Sequence, residues 1–167
     1  MRPLILGLVF AATAASAQPM PPAGSFEVAI DRKLNAPPAA AYDQLVHVEN
    51  WWASSHTYSG DAANLNLEAR AGGCWCENWA SGSVEHGRVL AAIPGKLLRM
   101  SGGFGPLQAL PVGAVMTFTL TPADGGTATA LSVRYRVAGP VGELGPPVTA
   151  VLGQQIDALV AVINAAK

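Results

Sequence analysis

The chain has 167 residues, of which 10 are Lys or Arg and 11 are Asp or Glu, so its formal net charge is −1. Hydrophobic residues make up 50% of the chain and charged residues only 13%, a composition that favours a well-filled core and is compatible with an apolar cavity. No basic stripe runs along the sequence, and we therefore do not expect nucleic acid as a partner.

The first 17 residues have the pattern of a secretory signal peptide. Arg2 supplies a positive charge, residues 4–15 form a short apolar run, and Ala15-Ser16-Ala17 matches a small-x-small cleavage site. Cleavage after Ala17 would export the remaining 150 residues, in a bacterium to the periplasm. The apolar run is too short to span a membrane, and no later segment is predicted to be long and apolar enough to do so.

The mature chain is long enough for one domain, which we place at residues 25–167 after a flexible Pro-rich segment at 18–24. Alternating apolar residues predict a first strand from Phe26 to Leu34. A helix is predicted from Ala39 to Val46, with a second short helical turn at 49–52.

The rest of the chain reads as short strands followed by one long helix. Alternation and turn residues predict strands near residues 65–69, 74–79, 83–93, 96–101, 115–120 and 131–137. Gly145-Pro146-Pro147 is predicted to belong to a loop, after which apolar residues three or four apart indicate a helix with one buried stripe. Because most strands follow one another through hairpins, we predict an α+β fold with a mainly antiparallel sheet of six to seven strands, covered by this helix.

Five segments carry a resemblance to a known family, and along the chain they are Leu34–Tyr42, Trp51-Trp52, Gly72-Gly73-x-Trp75, Gly87-Arg88-Val89 and Pro94–Leu98. In this order, and with this order of elements, they resemble the helix-grip fold of the START-like superfamily. That superfamily, also called the SRPBCC group, includes polyketide cyclases, lipid-transfer domains and Hsp90-activator-like domains. An exported bacterial branch of that group shares further features with this chain. Because Hsp90 is cytosolic, the resemblance does not extend to a co-chaperone role.

Members of this group typically hold a hydrophobic ligand between the sheet and the C-terminal helix, and the resemblance implies such a pocket here. Its expected lining residues are Trp75, Glu77, His86, Met116, Phe118, Leu131, Val133, Tyr135, Leu152, Ile156 and Leu159. Its expected entrance residues are Trp52, His56 and Tyr58. Tyr135 has a second interpretation, as a core tyrosine whose hydroxyl bonds to a neighbouring group.

Strand alternation places Cys74 and Cys76 on one face and Trp75, Glu77 and Trp79 on the other. In an oxidising compartment the two cysteines are candidates for a local disulfide, for a small structural feature in either redox state, or for redox catalysis. Together with a distant His86, they do not form a recognised zinc pattern, and we expect neither a metal nor a cofactor.

The partner of Glu77 depends on the register of the hairpin that follows. A two-residue loop at Ser81-Gly82 would set Glu77 opposite His86, whereas a three-residue loop would set it opposite Glu85. We favour the first register, because like charges directly opposite each other are destabilising. Glu77 could also be an exposed strand residue.

Three functions compete. The leading hypothesis is an exported binding protein for a small hydrophobic molecule or lipid. The second is a cyclase- or lyase-like enzyme in which Glu77 and His86 act as acid and base. The third is a protein-interaction module, which requires a filled cavity and an exposed apolar patch. The sequence has no Ser-His-Asp order and no phosphate-binding Gly loop to support other enzyme classes.

Overall fold

The computed structural model describes Met20 and residues 22–165. The predicted signal peptide and its cleavage site lie outside the described residues. In the described part of the chain there are two α-helices, α1 (Pro38–Val46) and α2 (Gly145–Ala165). The seven described strands are β1 (Gly24–Leu34), β2 (Leu65–Leu67), β3 (Cys74–Trp79), β4 (Gly82–Ile93), β5 (Leu97–Ser101), β6 (Gly113–Ala123) and β7 (Ala128–Gly139).

All seven strands form one antiparallel sheet in the order β1-β7-β6-β5-β4-β3-β2. Strands β2 to β7 follow one another as spatial neighbours, and β1 pairs with β7 along its whole length. Helix α2 packs against β1 and α1. The predicted α+β helix-grip fold is therefore confirmed, with seven strands, a long C-terminal helix and a few short helices.

The core lies between one face of the sheet and α2, as the apolar alternation predicts. On β7, Leu131, Val133, Tyr135 and Val137 are all buried, while the intervening residues are partly or fully exposed. The stripe on α2 recurs every three or four residues and faces the same core. Its buried members are Val148, Leu152, Gln155, Ile156, Leu159 and Ile163.

Helix α2 differs from the sequence prediction in two respects. It begins at Gly145, so Pro146 and Pro147 belong to its first turn, where a missing backbone N–H costs no helical hydrogen bond. It is also 21 residues long and rich in apolar residues, so by length and composition it could cross a membrane. The prediction that no segment after the N-terminus meets that criterion is wrong. Most of its buried residues form one apolar stripe that packs into the core.

The hairpin between β3 and β4 has neither of the predicted registers. Its loop is Ala80-Ser81, and Glu77 lies opposite Val84 rather than His86 or Glu85. Further along, Cys76 pairs with Glu85 and Trp75 with Gly87, which leaves His86 as the extra residue of a β-bulge.

The bulge changes which residues of β4 face the core. Before it, even-numbered residues such as Val84 face inward, and directly after it Gly87 and Val89 do. His86 and Gly87 are consequently buried in succession. A bulge bends its strand and redirects a side chain, and here it directs His86 towards the interior.

The bulge also lies against a second chain segment. Gly102 has a φ of +150°, and a Cβ at this position would meet the His86 carbonyl oxygen and lie 2.7 Å from Gly87 Cα. Both contacts are with backbone, which cannot move aside as the end of a flexible side chain can. Only glycine fits at this crossing.

We therefore expect Gly102→Ala to lower the free energy of unfolding by about 2 kcal/mol or more, because it adds backbone strain to a clash. Gly113→Ala is the control, since no atom lies within 4 Å of the added Cβ. It should change stability by no more than about 0.5 kcal/mol. Urea unfolding monitored by circular dichroism measures the free energy of unfolding of both variants. Equal values for the two would contradict the close approach of Gly102 to the backbone of His86 and Gly87.

Candidate functional site

A cavity of about 310 Å³ lies between the sheet and the first half of α2. Strands β4, β6 and β7 contribute His86, Met116 and Tyr135 to it. Helix α2 forms the opposite wall with Pro147, Val148, Val151 and Leu152. Two segments frame the mouth, which we call the 52–61 loop and the 102–112 loop. The lining consists mainly of aliphatic and aromatic side chains, with a small number of polar groups, as is usual for small-molecule sites.

Some of the predicted pocket residues line this cavity and others do not. Those that line it are His86, Met116, Tyr135 and Leu152, together with the three predicted entrance residues Trp52, His56 and Tyr58. Those that are buried elsewhere in the core are Trp75, Glu77, Phe118, Leu131, Val133, Ile156 and Leu159. All of these side chains are buried, but those of the second group do not reach the cavity.

Trp75 illustrates the difference. Its ring packs edge to face against Trp52 and Phe104, with ring centroids 5.0 Å and 5.1 Å away. Those two aromatic rings line the cavity, and Trp75 lies behind them. It therefore supports the wall without touching the empty space.

Sequence reasoning missed several lining residues, most of them outside the regular elements. Phe104, Gly105 and Pro106 lie in the stretch that the sequence shows only as irregular. The one signal that the sequence offers there is an aromatic residue flanked by glycines. The others are Thr57, Pro147, Val148 and Val151.

Glu77 is completely buried, and its carboxylate accepts three hydrogen bonds. The amide of Tyr58 lies 3.0 Å from Oε2, the amide of Ser59 donates to Oε1, and His86 Nε2 lies 3.0 Å from Oε2. Burial by itself raises the pKa of Glu77, but the hydrogen bonds from Ser59, Tyr58 and His86 outweigh it and hold the pKa below its ordinary value. The carboxylate therefore stays ionised and fixes the 52–61 loop to β3.

His86 is the partner of that carboxylate and is itself buried. Burial lowers the pKa of His86 below 6.5, even though the neighbouring Glu77 acts in the opposite direction. Phe104 stacks on the imidazole at a centroid distance of 6.3 Å and an interplanar angle of 9°. Tyr58 covers it from another side at 5.8 Å. The ring is thus neutral at pH 7 and held in one orientation.

Tyr135 fixes the 102–112 loop much as Glu77 fixes the 52–61 loop. Its hydroxyl donates to the Gly102 carbonyl at 2.9 Å and accepts from the Phe104 amide at 3.1 Å. Burial raises the pKa of Tyr135 to about 12. The hydroxyl is therefore a structural group, which favours the core-tyrosine interpretation. The two loops meet where the exposed Tyr58 hydroxyl donates to Gln108 Oε1 at 2.6 Å.

Cys74 and Cys76 form a disulfide, with their Cα atoms 5.3 Å apart. They lie on the outer face of β3, beside the ion pair between Glu85 and Arg88. The two sulfurs and the Glu85 carboxylate form a compact group. Bonded sulfurs are not thiolates, however, so this group lacks the ligands that a zinc site needs.

Comparisons with known proteins identify the fold but no family. No family model matches the sequence, and no curated protein matches it. Solved structures do match. A protein from Chromobacterium violaceum is 22% identical with a TM-score of 0.58, and the alignment covers 83% of this chain and 96% of that one.

Two further structures carry names. The Aha1 dimer from Colwellia psychrerythraea is 14% identical with a TM-score of 0.58, over 85% of this chain and 98% of that one. CalU16 from Micromonospora echinospora is 13% identical with a TM-score of 0.51, over 82% of this chain and 75% of that one. At these identities the likeness shows the fold alone, and it agrees with a helix-grip architecture.

The buried pair of Glu77 and His86 makes the protein less stable as the pH falls. The contribution of Glu77 is complete above its unfolded pKa near 4.5 and is lost as the pH falls through its lower folded pKa. Below 6.5 the unfolded state also takes up a proton at His86 that the folded state resists. We therefore expect the free energy of unfolding, measured with urea, to fall between pH 7 and pH 4.

Glu77→Gln tests the origin of this dependence. This substitution should lower the free energy of unfolding by about 3 kcal/mol at pH 7, because a carboxamide cannot replace a buried carboxylate that accepts three hydrogen bonds. The difference in free energy between the variant and the wild type should be smaller at pH 4. Glu27→Gln removes a half-exposed carboxylate and should cost about 0.5 kcal/mol or less. A cost for Glu77→Gln that is the same at both pH values would show that the ionised carboxylate is not responsible.

The disulfide closes a loop of three residues. For a loop of this length the chain-entropy relation gives a stabilisation of about 1.5 kcal/mol. Reduction should lower the free energy of unfolding by roughly that amount, as measured with urea in the presence and absence of a phosphine reductant. The Cys74→Ser/Cys76→Ser variant should not respond to the reductant. Two titratable thiols in the unreduced, urea-unfolded protein would refute the disulfide.

Proposed function

We propose that this chain is an exported member of the START-like superfamily that binds one small hydrophobic or amphipathic molecule between its sheet and α2. The observation that carries the proposal is the cavity of about 310 Å³ with apolar walls. The signal-peptide pattern of the first 17 residues supports export to the periplasm.

The size and shape of the cavity restrict the ligand. Its volume is near the lower end of the range for small-molecule sites, roughly 300–1,000 Å³. A molecule with one or two rings suits it better than a long acyl chain. Aromatic side chains line much of the mouth and favour flat ligands, because stacked or edge-to-face ring pairs add to the gain from burial.

The cavity is unfilled, which speaks against the interaction-module hypothesis, since that hypothesis requires a filled one. The enzyme hypothesis retains one supporting observation, the buried hydrogen bond of 3.0 Å between Glu77 and His86. Of these two residues, however, only His86 lines the cavity, so Glu77 would position the imidazole and would not touch a substrate. We place the enzyme second, with His86 alone, in place of the Glu77–His86 pair, as the proposed acid–base group.

The test uses two substitutions on α2. Val151 lines the cavity, whereas Thr149 is exposed on the same helix. We expect the uncharged dye prodan to bind the wild type with a blue-shifted emission, and Val151→Trp to weaken binding by about tenfold or more by filling the space. Thr149→Trp should bind like the wild type. Thermal melts verify that both variants fold.

A second measurement searches for the natural ligand. Protein purified from the periplasm is extracted with solvent, and the extract is analysed by mass spectrometry. A compound that recurs in the wild type and is depleted in Val151→Trp supports the proposal, and its recovery unchanged after incubation favours binding over turnover. The proposal fails if repeated preparations carry no compound and Val151→Trp has no effect on prodan.

A further inference from the structure

The hydrogen bond between His86 and Glu77 determines which imidazole nitrogen carries the proton. The Glu77 carboxylate already accepts hydrogen bonds from the backbone amides of Tyr58 and Ser59. An ionised carboxylate only accepts, so the contact of 3.0 Å requires that Nε2 of His86 bears hydrogen. In the neutral ring, Nδ1 then has a free lone pair and acts as an acceptor.

No group in the described part of the chain hydrogen-bonds to Nδ1. The only described side-chain nitrogen or oxygen that is fully enclosed without a partner is the hydroxyl of Tyr42, so Nδ1 is not sealed inside protein. His86 lines the cavity, and Phe104 and Tyr58 hold its ring in place. The lone pair is thus an unpaired acceptor on a fixed ring that lines the cavity.

Apart from His56, an exposed residue at the cavity mouth, the other polar lining residues already have their side-chain donors occupied. The Tyr135 hydroxyl donates to Gly102, the Trp52 indole N–H donates to the His56 carbonyl, and the Tyr58 hydroxyl donates to Gln108. The Thr57 hydroxyl likewise donates within its own loop, to the Ser54 carbonyl. The inner wall therefore offers an acceptor and no spare side-chain donor.

We propose that the cavity selects a small, uncharged aromatic molecule whose hydroxyl group donates a hydrogen bond to Nδ1 of His86. This inference rests on the proposed function and adds the polar feature that the ligand must carry. A carboxylate ligand would bring a second acceptor and a charge into an apolar space, where neither is compensated. A methyl ether would fill the same volume but leave the His86 lone pair without a donor.

A matched pair of probes tests this requirement. 2-Naphthol and 2-methoxynaphthalene share a ring system and differ in the donor, and both are uncharged at pH 7.5. Isothermal titration of the wild type should show 2-naphthol binding about tenfold more tightly, which is the effect of one hydrogen bond in a dry site.

Two histidine substitutions locate the acceptor. His86→Phe keeps an aromatic ring and should lose the preference for 2-naphthol over 2-methoxynaphthalene. His47→Phe changes a half-exposed histidine that does not line the cavity and should keep the preference. Retained binding of 2-methoxynaphthalene shows that the cavity is intact in each variant.

A measurement on the wild type tests the tautomer without a substitution. The ¹⁵N chemical shifts of His86 at pH 7.5 should identify hydrogen on Nε2, and addition of 2-naphthol should shift the Nδ1 resonance.

The outcomes separate the two proposals. Equal affinities of the wild type for both probes, a preference that survives in His86→Phe, or hydrogen on Nδ1 would each overturn the donor requirement while leaving the proposed function intact. If neither probe binds and prodan does not bind either, the proposed function fails and the donor requirement fails with it.

Discussion

The buried carboxylate of Glu77 is the constraint on which the site depends. An ionised group without solvent must be compensated by donors, and the cost of removing one partner is of the order of 3–5 kcal/mol. The donors here come from two separate parts of the chain, the backbone of the 52–61 loop and the imidazole of β4. One group on β3 therefore fixes both the cavity mouth and the orientation of the only histidine on the inner wall.

Tyr135 plays the equivalent role for the 102–112 loop, through a neutral hydroxyl instead of a charge. Both loops are irregular, and their backbone groups need partners wherever they are buried. The sheet supplies those partners from inward-facing polar side chains. As a result the polar side chains of the inner wall are occupied by the protein itself, and the cavity stays apolar except where His86 presents its second nitrogen.

The outer face of the same strand is a separate feature. The disulfide between Cys74 and Cys76 lies on the opposite side of β3 from Trp75 and Glu77, so its sulfurs do not reach the cavity. The disulfide is therefore a structural crosslink that takes no part in the cavity. The structural relatives share the fold at 13–22% identity, and since one fold hosts many functions, the argument for binding rests on the cavity and not on the relatives.

The sequence by itself determined most of the architecture, because apolar periodicity is a local property. Alternation along β3 and β7 assigned their side chains to the correct faces, and the apolar stripe of α2 identified the element that covers the sheet. The same reasoning could not distinguish side chains that line the cavity from those buried elsewhere in the core, such as Met116 from Phe118. Both are apolar and face inward, and only the path of α2 and the two loops separates them.

The position of His86 was decided by tertiary structure alone. Both registers considered for the hairpin assumed a regular ladder, and in a regular ladder with the observed turn His86 has no position opposite Glu77. The extra residue at the bulge reverses the alternation of β4, and the close crossing of Gly102 over the backbone of His86 and Gly87 packs against it. The position of this bulge could not be predicted from the alternation of apolar residues along β4. It depends on how the neighbouring strands and a distant glycine pack together.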